Sequence, residues 1–252
     1  MKTYALIVAL GFCLLSNLAP AKAKPADEVE IKCLIPEDKI AAVSEKLGLK
    51  SKPPLVRVVC FFDTGLLALF EHDPKLILRS RYDSSETDTT VKVRGGKVKG
   101  DDVECEFDKV CGKDRTESCS VTSKKQKVAE IKAANAGKRI KKIFSEKQEA
   151  VAQGAFGKVN WDKVRPYGPV QGVQVWKKIK IPAGPPLTAE RWDLPARRGK
   201  PARVLFEVSA KVPLSEEAKA SQQMADFLGL AESGSGESET KTRIVLKHFA
   251  DH

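Results

Sequence analysis

The chain has 252 residues, with 44 lysines and arginines against 33 acidic residues and a formal net charge of +11. This length fits one large domain or two small ones, and the excess of bases favours an anionic ligand. No segment after the N-terminal stretch approaches the ~20 apolar residues of a membrane-spanning helix, so we expect no membrane span.

Residues 1–23 have the pattern of a secretory signal peptide. Lys2 precedes an apolar run from Ala5 to Leu15, and small residues follow up to Ala23. A charged start, a short apolar core and a small-residue cleavage site occur in this order in such peptides. We therefore expect cleavage near Ala23, export to the periplasm or the outside of the cell, and one mature domain over 24–252.

Seven segments alternate between charged or polar residues and mainly apolar residues, which predicts strands with two different faces. The first, at 26–36, places Glu28, Glu30 and Lys32 on one face and Val29 and Ile31 on the other. The others lie at 75–83, 89–96, 102–109, 173–182, 187–194 and 202–213. Acids and bases are sorted into separate segments, whereas like charges on neighbouring strands destabilise an ordinary solvated face. The sorting therefore favours a binding surface.

Helices are predicted between these strands, at 36–49, 123–154 and 215–230. The second is rich in lysine and has a weak point at Gly137, because glycine is a poor helix former. The stretch 112–160 around it is expected to be mainly helical. A loop rich in glycine and serine at 232–239 precedes a predicted last strand at 240–249.

Five cysteines follow the predicted signal peptide, so at least one of them has no partner within the chain. In an oxidising compartment the cluster of Cys105, Cys111 and Cys119 is expected to contain a disulfide. Cys33 and Cys60 are the candidates for a second one. A zinc site is less favoured, because there is no CxxC pair and the three histidines lie elsewhere in the sequence.

Several segments together resemble the CYTH, or triphosphate tunnel metalloenzyme, superfamily. "EVEIK" at 28–32 matches its ExExK signature, and "CFFDTGLLALFEHDPKLILRSR" at 60–81 resembles its next strand, short helix and RxR strand. "TVKVR", "ECEFD" and "LFEVSAKV" resemble later strands, in the same order over about 27–212. The resemblance implies an α+β fold, in which an eight-stranded antiparallel β-barrel forms a tunnel with flanking helices. The charged strand faces would then form the tunnel wall.

The resemblance also implies a phosphate-rich small anion such as triphosphate as ligand, because arginine and lysine match phosphate oxygens. The predicted substrate-binding residues are Lys32, Arg79, Arg81, Lys92, Arg94, Lys178, Lys180, Arg203 and Lys211. Carboxylates on the same wall would repel this anion unless Mg²⁺ or Mn²⁺ joined them. The predicted metal ligands are Glu28, Glu30, Glu106 and Glu207.

The implied activity is metal-dependent hydrolysis of a phosphoanhydride, in inorganic triphosphate or a nucleoside triphosphate, with Glu30 and Lys32 in catalytic roles. Ser209 stands where many relatives carry a second glutamate, so one metal site is lost or is completed by Glu190 and Glu207. An alternative is therefore a non-catalytic exported protein that binds polyphosphate or another polyanion in the tunnel.

Nucleic acid is disfavoured as a partner, because the lysines of 123–154 spread around the helix with few aromatic residues. The oligomeric state stays open.

Overall fold

A computed structural model describes residues 26–96, 98, 100, 102–197, 199–230 and 239–250 of the chain. The predicted signal peptide and nearly all of the predicted loop at 232–239 lie outside these residues. Within the described ranges, no helix has the length and apolar character needed to cross a membrane.

The described residues form nine strands. They are β1 (Glu28–Ile35), β2 (Leu55–Asp63), β3 (Lys75–Tyr82), β4 (Thr87–Arg94), β5 (Glu104–Val110), β6 (Arg115–Ser123), β7 (Arg165–Ile179), β8 (Leu187–Leu194) and β9 (Arg203–Pro213). These strands close into one barrel in the order β1-β5-β6-β4-β3-β2-β7-β8-β9. Every neighbouring pair is antiparallel except β1 and β5, which are parallel. The predicted barrel is confirmed, with a ninth strand and one parallel pair.

Five α-helices accompany the barrel in these ranges. They are α1 (Ile40–Lys46), α2 (Val128–Asn135), α3 (Glu146–Phe156), α4 (Glu217–Leu228) and α5 (Lys241–Phe249). Short 3-10 turns lie at Glu37–Lys39, Leu49–Ser51, Ile140–Ile143, Trp161–Lys163 and Leu214–Glu216. The stretch 112–160 is less helical than predicted, because β6 takes up its first part. The single helix predicted at 123–154 is two, since Arg139 adopts a left-handed φ of 54° between them.

The last strand predicted at 240–249 is wrong, because this segment is α5. The Thr240 hydroxyl accepts a hydrogen bond from the backbone N–H of Arg243, which satisfies one of the free donors at the start of the helix. Three consecutive apolar residues, Ile244, Val245 and Leu246, are buried, and Phe249 is buried with them. Burial of these residues favours the helix over a strand that would expose every second one.

The outward faces of the strands are apolar and pack under helices. This arrangement is the reverse of a barrel with an apolar interior and a solvated outer face. Val29 and Ile31 of β1 lie in one core cluster with residues of α1 and α4. Val91 and Val93 of β4 lie in a second cluster with Ile131 of α2 and residues of α3. The inward faces of the strands are therefore left to carry charge.

A third apolar cluster lies inside one end of the barrel. Its barrel residues include Phe61, Ile77 and Leu205, and α5 contributes Ile244 and Val245. These positions lie toward the C-terminal end of β2 and the N-terminal ends of β3 and β9. Helix α5 thus closes this end of the barrel with an apolar layer.

Two disulfides connect the strands that carry the charged wall. Cys105 pairs with Cys119, directly opposite it on the neighbouring strand, so the predicted bridge within the cysteine cluster is confirmed. Cys111 pairs with Cys33, and Cys60 is buried and free. The predicted pairing of Cys33 with Cys60 is wrong, because parallel pairing places β1 beside β5, while β2 lies between β3 and β7.

Candidate functional site: a charged tunnel inside the barrel

The barrel encloses a cavity of about 260 Å³ that is lined by charged and hydroxyl side chains. Among the described residues of its lining, seven are cationic and six are acidic. The cations are Lys32, Arg57, Arg79, Arg81, Lys92, Arg94 and Lys241, and the acids are Glu30, Glu106, Asp108, Glu190, Glu207 and Glu239. Since the two signs nearly balance, an anion with several charges would need a further cation to enter with it.

Three carboxylates meet inside the tunnel, and we call them the carboxylate cluster. Its members each offer one oxygen, all within 4.8 Å of one another: Glu30 of β1 and Glu106 and Asp108 of β5. The parallel pairing of β1 with β5 brings these residues to neighbouring strands. Alternation within each strand then turns all three toward the tunnel.

Cations surround the carboxylate cluster. Asp108 contacts Lys32 Nζ at 2.5 Å, Lys92 Nζ at 2.9 Å and Arg94 Nη2 at 2.9 Å. Lys32 Nζ also lies 2.7 Å from Glu30 Oε2, and Lys92 Nζ lies 3.1 Å from Glu106 Oε1. Every carboxylate of the cluster is thus paired with an ammonium group that could turn to another anion.

The protonation states of these groups follow from burial and pairing. Burial opposes ionisation of Asp108, but Lys32, Lys92 and Arg94 outweigh it and hold the pKa of this carboxyl well below its usual range. Burial likewise opposes the charge on Lys32, and Glu30 with Asp108 nevertheless raises the pKa of its ammonium group. Asp108 is therefore ionised, and Lys32 is protonated, at neutral pH.

Arginines extend the cationic wall along β3, away from the end that α5 closes. Arg81 Nε donates to Asp88 Oδ2 at 2.9 Å. Arg79 donates through Nη2 to the hydroxyl of Thr90 at 3.1 Å, while its buried Nε has no hydrogen-bond partner. Burial, followed by repulsion from Arg81, lowers the pKa of Arg79 to about 10. A buried guanidinium donor without a partner favours an anionic ligand at this position.

A second acidic group lies farther around the wall. Glu190 of β8 and Glu207 of β9 are directly opposite each other in the sheet. Lys241, the first residue of α5, contacts Glu190 and places its Nζ 2.7 Å from Glu207 Oε1. Trp192 donates its ring N–H to Glu190 at 3.0 Å. Burial opposes ionisation of Glu190, but Lys241 lowers the pKa of this carboxyl to about 2.

The tunnel contains five of the nine predicted substrate-binding residues, Lys32, Arg79, Arg81, Lys92 and Arg94. Lys178 and Lys180 are exposed and lie outside its lining. Lys178 adopts a φ of 55°, and the pairing of β7 with β8 shifts between Trp176 and Ile179, so the alternation breaks there. Arg203 lies beyond Leu205 at the start of β9, outside the lining.

The predicted metal ligands divide among three places. Glu30 and Glu106 belong to the carboxylate cluster, whereas Glu207 contacts Lys241. Glu28 lies at the rim, about half exposed, where its Oε2 is 2.9 Å from Lys211 Nζ. Lys211 is the predicted substrate-binding residue at the same rim. Ser209 lines the tunnel beside Glu207.

Sequence reasoning missed three functional side chains. The pattern places Asp108 on the charged face of its predicted strand but does not assign it to the metal, although only Phe107 separates it from Glu106. Arg57 lies on β2, and its Nε contacts Asp83 at 3.0 Å. Lys241 was placed in a strand, and only the threonine before it, a good N-cap residue, indicated otherwise.

The carboxylate cluster fits a divalent cation of the Mg²⁺ or Mn²⁺ type. Both ions prefer oxygen ligands, and Mg²⁺ binds them at ~2.0–2.1 Å in an octahedron. Ligand oxygens on opposite sides of such an ion are ~4.2 Å apart by the same geometry. The three carboxylate oxygens, which lie within 4.8 Å of one another, would therefore need to move only slightly closer together to bind one shared ion.

The chain matches no protein-family model and no curated protein. Solved structures do match it. A candidate adenylate cyclase from Bacillus halodurans has a TM-score of 0.58 and 14% identity, over 87% of this chain and 97% of its own. A candidate adenylyl cyclase from Hippeastrum, with a dominant triphosphatase activity, has a TM-score of 0.54 and 11% identity, over 87% and 94%. Both are CYTH-type proteins.

The chain therefore has the CYTH fold. The resemblance stated from its sequence motifs is confirmed at the level of the fold, because the barrel and its flanking helices superpose on both structures over most of their length. At 11–14% identity the likeness extends to the fold alone. The activity of this CYTH-fold protein must be argued from its own tunnel residues.

Proposed function

We propose that the protein is a metal-dependent triphosphatase, which hydrolyses phosphoanhydride bonds and takes inorganic triphosphate as its preferred substrate. The observation that carries the proposal is the carboxylate cluster facing Lys32, Lys92 and Arg94 inside the barrel. Carboxylates suit a divalent cation, and the adjacent ammonium and guanidinium groups suit phosphate oxygens. A ligand that contains both phosphate and a divalent ion satisfies both sets.

Substrate binding would exchange the partners of these groups. Lys32 and Lys92 now neutralise the carboxylate cluster, so a divalent ion there would release them toward phosphoryl oxygens. Arg79, with its unpartnered Nε, would donate to the same anion. No cation then loses a partner without gaining another, which keeps the cost of desolvation low.

Hydrolysis would proceed by attack of water on a terminal phosphorus atom. The new bond joins the water oxygen to that phosphorus, the phosphoanhydride P–O bond breaks, and the products are orthophosphate and pyrophosphate. A divalent ion held by the carboxylate cluster would neutralise phosphoryl oxygens and orient the attacking water. Glu30 would hold the ion, and Lys32 would stabilise charge on the phosphoryl group.

The size of the cavity favours inorganic triphosphate over a nucleotide. Pockets for drug-sized ligands enclose roughly 300–1,000 Å³, and this tunnel encloses about 260 Å³. Helix α5 closes one end, so a nucleoside would have to remain outside the other. The triphosphatase activity of the Hippeastrum protein with the same fold supports the reaction class.

We also propose that the protein acts outside the cytosol. The N-terminal sequence pattern supports export, and the two disulfides fit an oxidising compartment. Outside the cytosol nucleotides are scarce, so inorganic triphosphate or the end of a polyphosphate chain is a more suitable substrate there than a nucleotide.

The test is phosphate release from inorganic triphosphate by the chain from Lys24 onward, with Mg²⁺, with Mn²⁺ and with chelator. We expect metal-dependent release, which Glu30→Gln and Asp108→Asn each reduce at least a hundredfold. Glu104→Gln is the matched control, because Glu104 lies on β5 but is exposed and outside the lining. This variant should retain the wild-type rate.

A different result would select the alternative function. Calorimetric binding of triphosphate without release of phosphate, in both metals, would identify a polyanion-binding protein. This alternative is favoured by Ser209, which supplies a hydroxyl where a carboxylate would bind metal more strongly. Absence of both binding and turnover would contradict both functions.

A further inference from the structure

Glu190 and Glu207 form a second pair of carboxylates in the tunnel, apart from the carboxylate cluster. The two residues are directly opposite on β8 and β9 and both face the tunnel. Like charges at directly opposed positions destabilise a sheet unless a cation lies between them. Lys241 is that cation, since its Nζ contacts both carboxylates.

Lys241 is fixed in this position more firmly than an ordinary lysine. Its side chain is 12% exposed, and its Nζ lies 4.8 Å from the centre of the Trp192 ring, within cation–π distance. The helix that carries it is held at its side, because Arg243 Nη2 donates to both carboxylate oxygens of Glu71 at 2.9 Å. The ammonium group is thus positioned by the whole of α5.

The far end of α5 is held as well. Lys200 Nζ donates to the backbone oxygens of Lys247 at 2.6 Å and of Ala250 at 2.8 Å, where the helix has no further N–H donors of its own. His248 donates a hydrogen bond of 2.8 Å from Nε2 to the backbone oxygen of Pro195. The backbone of α5 is therefore held at both ends, and the Lys241 ammonium group is held by Glu190, Glu207 and the Trp192 ring.

The carboxylate cluster differs in this respect. Its lysines, Lys32 and Lys92, extend from strands of the barrel wall and not from a helix that closes the tunnel. The cluster also offers three carboxylates to a metal ion, whereas Glu190 and Glu207 offer two. The two acidic sites of the tunnel are thus unequal.

We propose that Lys241 is a built-in cation that takes the place of a second divalent ion at Glu190 and Glu207. The tunnel then holds one divalent ion, at the carboxylate cluster. The number of ions at the cluster rests on the proposed function, but the exclusion of metal by Lys241 does not. Lys241 is therefore a positioning residue, which sets the metal content of the tunnel.

The test counts bound Mn²⁺ by electron paramagnetic resonance and equilibrium dialysis, without triphosphate, in the wild type and in Lys241→Met. We expect one ion per wild-type chain and two per Lys241→Met chain. We also expect Mn²⁺ to raise the melting temperature of Lys241→Met by more than that of the wild type. Lys219→Met is the control, because Lys219 is an exposed lysine on α4 and lies outside the tunnel lining. It should bind as many ions as the wild type.

The decisive quantity is the difference in bound Mn²⁺ between Lys241→Met and the wild type, which we expect to be one ion per chain. A wild type with no ion and a variant with one would support the inference and contradict the metal site of the proposed function. An equal count in the wild type and a folded Lys241→Met would overturn the inference.

A second variant keeps the test valid should Lys241→Met fail to fold. Glu207→Gln in the wild-type background should leave the ion count unchanged, because Lys241 already excludes metal from that pair. Loss of an ion from Glu207→Gln would overturn the inference, since Glu207 would then be a metal ligand in the native tunnel.

Discussion

Replacement of Asp108 by asparagine removes the one carboxylate that three tunnel cations share. The Asp108 side chain is 4% exposed, and Lys32, Lys92 and Arg94 all lie within 2.5–2.9 Å of its oxygens. Asparagine preserves the shape but removes the charge, so buried cations lose their counter-ion. Breaking a buried ion pair in this way costs ~3–5 kcal/mol, a large part of a typical native stability of ~5–15 kcal/mol.

Urea unfolding of the chain from Lys24 measures this loss. We expect Asp108→Asn to lower the midpoint with an unchanged m-value, and we expect Glu104→Gln to change the free energy of unfolding by less than ~0.5 kcal/mol. Triphosphate should restore part of the stability of Asp108→Asn, because its oxygens can replace the lost carboxylate. A loss below about 1 kcal/mol would refute the central position of Asp108 in this ion network.

The same variant has a distinct dependence on pH. The folded-state pKa of Asp108 lies below the unfolded value of about 3.9. The stabilisation is therefore complete above pH ~5 and is lost as the pH falls through 3.9 toward the folded-state pKa. The difference in stability between wild type and Asp108→Asn should shrink in acid, and a difference that grows there would contradict this assignment.

Three further predictions concern other parts of the barrel. Arg79→Met should weaken triphosphate binding by ten- to hundredfold in calorimetry, because charge-assisted hydrogen bonds contribute ~1.5–3 kcal/mol; unchanged affinity would place the anion elsewhere. Lys211→Met should change the unfolding free energy by no more than ~1 kcal/mol, because the Lys211 side chain is half exposed where it pairs with Glu28 at 2.9 Å and with Glu106 at 3.2 Å; a larger loss in urea would show that these rim pairs are structural. Cys119→Ser opens the disulfide to Cys105, which spans 14 residues, and should cost ~3 kcal/mol in the same assay. Equal stability of Cys119→Ser and wild type would argue against that bridge.

The tunnel wall could be predicted from sequence because strand alternation has a period of two whatever the curvature of the sheet. Glu30, Lys32, Arg79 and Lys92 all alternate with apolar residues, and all of them line the cavity. The sequence alone does not say whether a charged face points to solvent or inward. The sorting of charge by sign and the ordered motifs indicated the inward arrangement.

Alternation failed where the backbone departs from a regular strand. Val173 and Val175 line the cavity and Trp176 packs on the outer core, so Lys178 is in step with the outer face of β7. Lys178 and Lys180 are both exposed, and the left-handed φ of 55° at Lys178 shifts the next residue out of step. Ile179 is buried in the outer core instead. A positive φ at a lysine is set by the surrounding fold and has no signature in the alternation of residues.

Long-range pairing was also beyond sequence reasoning. Cys105 and Cys119 are close in sequence and their pairing could be expected, whereas Cys33 meets Cys111 only because β1 and β5 are parallel neighbours. The role of Lys241 depends in the same way on where α5 enters the barrel. The pairing of Cys33 with Cys111 and the position of Lys241 both depend on the tertiary fold, and no local sequence motif indicates either one.

The most direct test of the tunnel as a metal-dependent triphosphatase is the rate of phosphate release from inorganic triphosphate as a function of free Mn²⁺. We expect a rate that saturates with Mn²⁺, falls to background in chelator and returns when Mn²⁺ is restored. Phosphate release that is unaffected by chelator, or no release at any Mn²⁺ concentration, would contradict it.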